Sequence, residues 1–135
     1  MISTGSVIKF AEEEHYYVFL ASINGLVYLA KILNAEKSAM IIQMKQQLEN
    51  SSGRGSLSAQ SKLEDLAFCF VVLTSRQFKD QIAHCCKHEK NIDDFSGIQE
   101  ILKIDEADIK QIKEEIIGSN NYPKQLQEYF NNINI

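Results

Sequence analysis

Apolar positions dominate the first third of the chain. From Tyr16 onward, Tyr16, Phe19, Leu20, Ile23, Leu26, Val27, Ala30 and Leu33 recur at steps of three and four, which is the helical repeat. The stretch FLASINGLVYLA at their centre admits a second reading, because Asn24-Gly25 between two apolar runs is the strongest short-range sign of a β-hairpin. The flanks of that dipeptide do not alternate as half-buried strands do: Tyr16, Tyr17, Val18, Phe19, Leu20 and Ala21 are apolar on both faces. A strand buried on both faces fits the run as well, but Leu and Ala favour helices, and Glu12, Glu13 and Glu14 suit the positive end of a helix dipole. The pattern therefore predicts a helix over about residues 6–33, with Gly25 inside it at a cost of about 1 kcal/mol relative to Ala. Val18, Val27, Leu29 and Ile32 lie off the main stripe, so the predicted helix is apolar nearly all round and belongs at the centre of a bundle. Its remaining face would meet a partner, or a second copy in a homodimer through the first helix.

Downstream, Asn34 is placed to cap AEKSAMIIQMKQQLEN, with Met40, Ile41, Met44 and Leu48 as a narrower stripe. A continuous helix over 6–50 would run about 65 Å, too long for a compact domain, so a turn belongs near Asn34. The Ser/Gly-rich stretch NSSGRGSLSAQS predicts a flexible joint at about 51–60. Ser61 to Glu64 fit a capping box for a helix through Leu63, Leu66, Ala67, Phe70, Val71, Phe78, Ile82 and Cys85 to about residue 89. A second box at Ser96 to Gln99 opens a short helix. Asp105 can cap a helix whose Ile109, Ile112 and Ile116 face inward, Gly118 can end it, and Pro123 can start a last one. Phe19 and Phe70 are expected in the core. The sum is an all-α, compact single-domain bundle (1–135) of about six helices around a central apolar helix.

With 135 residues, 44% hydrophobic and 24% charged, the chain is long enough to bury a core without staples. Cys69, Cys85 and Cys86 are odd in number and two are neighbours, which points to a reducing compartment. The start has one Lys and then three Glu before the apolar run, the wrong order for a secretory signal. The uncharged run from Tyr16 to Ala30 is shorter than the roughly 20 residues that span a bilayer. A cytoplasmic protein with no membrane partner is the expectation. The net charge of −4 argues against nucleic acid as a partner. It is unevenly spread, with residues 1–90 at +1 and residues 91–135 at −5.

Candidate chemistry is sparse. In HCCKH, His84, Cys85 and His88 could converge on zinc or copper from one helix face, but a closed zinc site needs a fourth ligand. A Cys–His nucleophile pair there lacks a base held in the right direction. Setting Gly97 at position 6 of a calcium loop puts Ile92 and Lys103 where Asp and Glu belong, so that motif fails. No cofactor and no enzymatic activity are expected. What remains is the acidity: Asp108, Gln111 and Glu115 fall on one flank of the Ile stripe, with Asp93, Asp94, Glu100 and Asp105 upstream. These seven residues are the candidate dock for a basic protein partner. The leading expectation is a small inhibitory binding protein, such as an immunity protein or antitoxin against a basic toxin. An adaptor or chaperone for a secreted effector, and a metal-binding protein using His84, Cys85 and His88, are the alternatives.

Overall fold

The computed structural model describes residues 2–50, 70–85, 88–119 and 121–134. It overturns the all-α bundle. Among the described residues the chain forms a seven-stranded antiparallel sheet with three α-helices packed against it. The strands are β1 (Ser6–Phe10), β2 (Tyr16–Ile23), β3 (Leu26–Ile32), β4 (Phe70–Val72), β5 (Ile82–His84), β6 (Glu89–Asn91) and β7 (Ile98–Lys103). The helices are α1 (Ala35–Asn50), α2 (Glu106–Ile117) and α3 (Lys124–Asn132). Strand order is β4-β5-β3-β2-β1-β7, and β6 also pairs with β3. β5 takes Lys31 and Ile32 while β6 takes Leu26 to Tyr28, so two short strands share one edge of β3.

The helix predicted over about residues 6–33 is instead β1 followed by the β2–β3 hairpin. Asn24 and Gly25 both have positive φ, 51° and 82°, as a two-residue hairpin turn with the twist of its strands requires. Ile23 and Leu26 close the pair, and a one-residue bulge at Leu20 shifts the register so that Phe19 faces Leu29 and Ala21 faces Tyr28. The absence of alternation has a direct cause, since this hairpin is buried on both faces. Val18, Leu20, Tyr28, Ala30 and Ile32 join a core with Ile109, Ile112, Ile116, Leu126 and Phe130 of α2 and α3. Tyr17, Val27 and Leu29 point the other way, into a cluster with Ile8 and Phe10. Val18, Val27 and Leu29, expected off the main stripe of a first helix, are instead fully buried in the sheet.

Two further helices are corrected to strands. Of the helix expected from Ser61 to about residue 89, the described part holds β4 and β5 instead, and the Val71-Val72 pair of β4 fits a pleated surface, while the expected capping box at Ser61 to Glu64 lies outside the described residues. The helix expected from Ser96 is β7, paired with β1. The remaining helices start where their signals stand, although the Asp105 side chain makes no cap bond and Gly118 ends α2 with an ordinary φ of −82°. The Asn34 side chain accepts from the Lys37 N–H at 2.7 Å at the start of α1, Asp105 precedes α2, and Pro123 precedes α3. Leu33, Ile41 and Ile82 form a third cluster, which places α1 on the sheet face opposite α2 and α3. Phe19 and Phe70 are only half-buried. The joint at 51–60 lies outside the described residues.

Gly5 fixes how closely α2 approaches the sheet. Its φ is +95°, and a Cβ there would meet Ile109 Cδ1 at 2.5 Å, whereas a Cβ on Gly25 would meet nothing within 4 Å. Gly25→Ala should cost about 1–2 kcal/mol from backbone conformation alone. Gly5→Ala adds overpacking of about 1–3 kcal/mol to the same penalty. Urea denaturation of the two variants should rank them in that order, and equal losses would contradict the close approach of α2 to Gly5.

Candidate binding groove at the edge strand

Among the described residues, β4 is the outermost strand at one end of the sheet. Partners in an antiparallel pair alternate between those that exchange hydrogen bonds and those that do not. The Leu73 N–H donates to the Gln81 carbonyl at 2.9 Å, and the β4–β5 register runs Val72 to Ile82 and Val71 to Ala83. Leu73 and Val71 are therefore the residues whose main chain turns toward β5. By the same alternation, the main-chain groups of Phe70 and Val72 turn to the outer edge.

That edge forms the floor of a groove of about 390 Å³, lined by Lys45 of α1, Phe70, Val71 and Val72 of β4, and Gln111, Glu114 and Glu115 of α2. Its two walls differ in charge. On the α1 side the Lys45 ammonium lies 5.0 Å over the Phe70 ring. On the α2 side Gln111 and Glu114 are exposed and Glu115 is half-buried. Burial raises the Glu115 carboxyl above its ordinary value, partly offset by the Tyr122 hydroxyl, which donates to it at 3.3 Å, and by the charge of Lys45. Beneath it, burial and the Glu115 charge push the Cys85 thiol far above its ordinary range, so Cys85 stays protonated and is not an activated nucleophile.

Asp108 sets wall against floor. It is fully buried, and its carboxylate accepts from the Thr74 N–H (2.8 Å), the Thr74 hydroxyl (2.7 Å), the Ser75 N–H (2.8 Å) and the Ser75 hydroxyl. Ser75 Oγ in turn accepts from the Asp105 N–H at 2.9 Å. The segment just after β4 is thus tied to the first turn of α2. Burial alone would raise the Asp108 carboxyl, but the hydrogen bonds from Ser75 and Thr74 outweigh it and hold the pKa below 3.8.

The seven expected docking residues separate accordingly. Gln111 and Glu115 meet in the groove. Asp108 is an internal tie rather than an exposed dock, and exposed Asp105 contributes its main chain to the same network. Glu100 is on β7, where it accepts from the Ser6 hydroxyl at 3.0 Å. Asp93 and Asp94 lie on a 3-10 turn after β6, and Asp94 lines a separate hollow of about 300 Å³ with Phe10, Glu13 and Lys90. Glu114 and Lys45 were missed. Glu114 follows from the same helical spacing that gave Glu115, but Lys45 meets the groove only through the tertiary fold.

The expected metal ligands are divided by the pleat. His84 Nδ1 and His88 Nε2 are 2.9 Å apart, but through the junction between β5 and β6 rather than along a helix face. Cys85 is buried in the opposite core, with Ile112 and Ile116. No group of three or more His, Cys, Asp and Glu is arranged to hold a metal ion among the described residues. Burial, His84 and Lys31 lower the His88 pKa from 6.5 to about 4.

No described helix is long and apolar enough to cross a membrane. Comparison with protein-family models, curated proteins and solved structures finds no match to this chain.

Two pH effects follow. The Asp108 pKa is depressed on folding, so its stabilisation is present above pH 3.8 and is lost as pH falls through the folded value. Asp108→Asn should cost about 2–4 kcal/mol at pH 7, because donors aimed at a buried carboxylate lose their acceptor. Its stability should also fall less steeply in acid than that of the parent protein. Equal stability of the two at pH 7 would remove the tie. The neutral His88 contributes stability fully above pH 6.5, lost as pH falls toward about 4. Denaturation midpoints measured across that window should decline for the parent and stay flatter for His88→Gln.

Proposed function

We propose that the chain is a small protein-binding protein that takes a basic partner along the β4 groove, in the manner of an immunity protein or antitoxin that masks a basic toxin. The observation that carries this reading is the groove itself: the strand that is outermost among the described residues lies between two helices, with carboxylates on the α2 wall. Exposed opposite charges favour encounter and correct orientation more than they add affinity. An edge strand with a shaped, charged rim also suits recognition of another chain better than chemistry on a small molecule. The groove brings together no nucleophile and base. The Cys85 thiol lies in the core outside its lining, and its Glu115 carboxylate accepts from the Tyr122 hydroxyl.

Gln111 and Glu114 are the residues to change, since both are exposed, whereas Glu115 is bonded to Tyr122. The protein immobilised in a lysate of its own cell of origin should retain a basic protein. Association of the purified pair should slow as salt rises, because exposed charges are screened beyond about 8 Å at physiological ionic strength. Gln111→Lys with Glu114→Lys should slow association further and leave the thermal midpoint unchanged. Equal association of parent and double variant would contradict this reading.

A further inference from the structure

We infer that the groove binds its partner by strand addition: an extended partner segment pairs antiparallel with β4, its apolar side chains turned to α1 and its basic ones to α2. This rests on the protein-binding reading and names the form of ligand that the same groove takes. The main-chain N–H and C=O groups of Phe70 and Val72 face the outer edge, as the Leu73–Gln81 bond and the β4–β5 register require. An added strand would exchange hydrogen bonds with those two residues.

Side-chain preference follows from the pleat. Phe70 and Val72 pack with the α1 cluster, while Val71 belongs to the core on the α2 side. Partner residues opposite Phe70 and Val72 therefore point to the α1 wall, where an apolar side chain finds Phe70 and a cation would meet Lys45. The residue opposite Val71 points to the α2 wall, where Gln111, Glu114 and Glu115 favour a cation. The far end of the sheet is built differently. β7 carries a one-residue bulge at Ile101 where it pairs with β1, with Glu100 and Lys103 along the strand, and bulges and charges are the usual means of blocking strand addition. No such bulge interrupts the β4–β5 register.

The probe is the peptide acetyl-Lys-Val-Lys-Val-Lys-amide, titrated into the full chain by calorimetry. It should bind, and the same peptide with Glu for each Lys should not. N-methylation of its two Val residues removes the N–H groups that would pair with Phe70 and Val72, and should weaken binding about tenfold or more. N-methylation of the central Lys, whose N–H points away, should leave binding unchanged. On the protein, Val72→Pro deletes an outward N–H that β5 does not use, so it should weaken peptide binding with the sheet intact. Absence of binding by the Lys/Val peptide, or equal binding by its Val-methylated form, overturns strand addition. If Glu114→Lys still weakens capture of the basic partner in that case, the groove reading stands without it. If it does not, both fail. A Val72-dependent dimer of the free protein would give the edge to a second copy and also overturn the proposal.

Discussion

The Asp108 carboxylate joins two parts of the chain that the rest of the fold holds in place separately. Four donors from Thr74 and Ser75 converge on it, and the Ser75 hydroxyl that bonds it also accepts from the first residue before α2. A buried carboxylate is costly unless its oxygens are satisfied, so this arrangement tolerates little displacement of the 74–75 segment relative to α2. Beside it the Ile109, Ile112 and Ile116 stripe enters the main core, and among the described residues the sheet ends in β4. The groove between α2 and β4 takes its shape from that bond set together with the packing of α2. At the opposite wall, Ser38 and Gln81 do similar work: the Ser38 hydroxyl accepts from the Ile82 N–H at 3.0 Å, and the Gln81 amide donates to the Leu33 carbonyl at 2.9 Å. Both helices that wall the groove are thus bonded to the β4–β5 end of the sheet.

Burial on two faces explains the rest of the architecture. A sheet covered by α2 and α3 on one side and by α1 and a second apolar cluster on the other has central strands that are apolar throughout. α3 is held to this core by Leu126 and Phe130, and by polar contacts to the hairpin: the Gln125 amide donates to the Tyr28 hydroxyl at 2.7 Å. Between the two clusters of the α1 face runs a polar row. Tyr17, Lys31 and His84 are direct neighbours across β2, β3 and β5, and His88 bonds to His84. The row marks where β5 gives way to β6, and burial together with the charges of His84 and Lys31 keeps His88 neutral down to about pH 4.

The helices were legible where local chemistry decides. Asn34, Asp105 and Pro123 each stand at the start of a helix, and the Ile stripe of α2 faces inward as its spacing implies. The sheet was not, because two-sided burial erases alternation. Tyr16 to Ala21 then read as a helix, with the bulge at Leu20 further breaking the period of two. The decisive local sign was the Asn24-Gly25 turn, where chemistry at two residues outweighed the periodicity of eighteen. For the candidate groove, helical spacing puts Gln111 and Glu115 on one flank of α2 and both line it, whereas Asp108, expected on the surface with them, is buried. Its partners are 33 and 34 residues away along the chain, and only the fold brings them to it.

The dependence of the groove on the Asp108 carboxylate is open to direct observation through the amides that donate to it. In a pH titration followed by NMR, the Thr74 and Ser75 amide protons should move together, with one midpoint below the ordinary aspartate value of about 3.9. Amides that titrate at that ordinary value, or that do not respond to acid before the protein unfolds, would show that the carboxylate does not hold this segment, and the account of how the groove is shaped would fail.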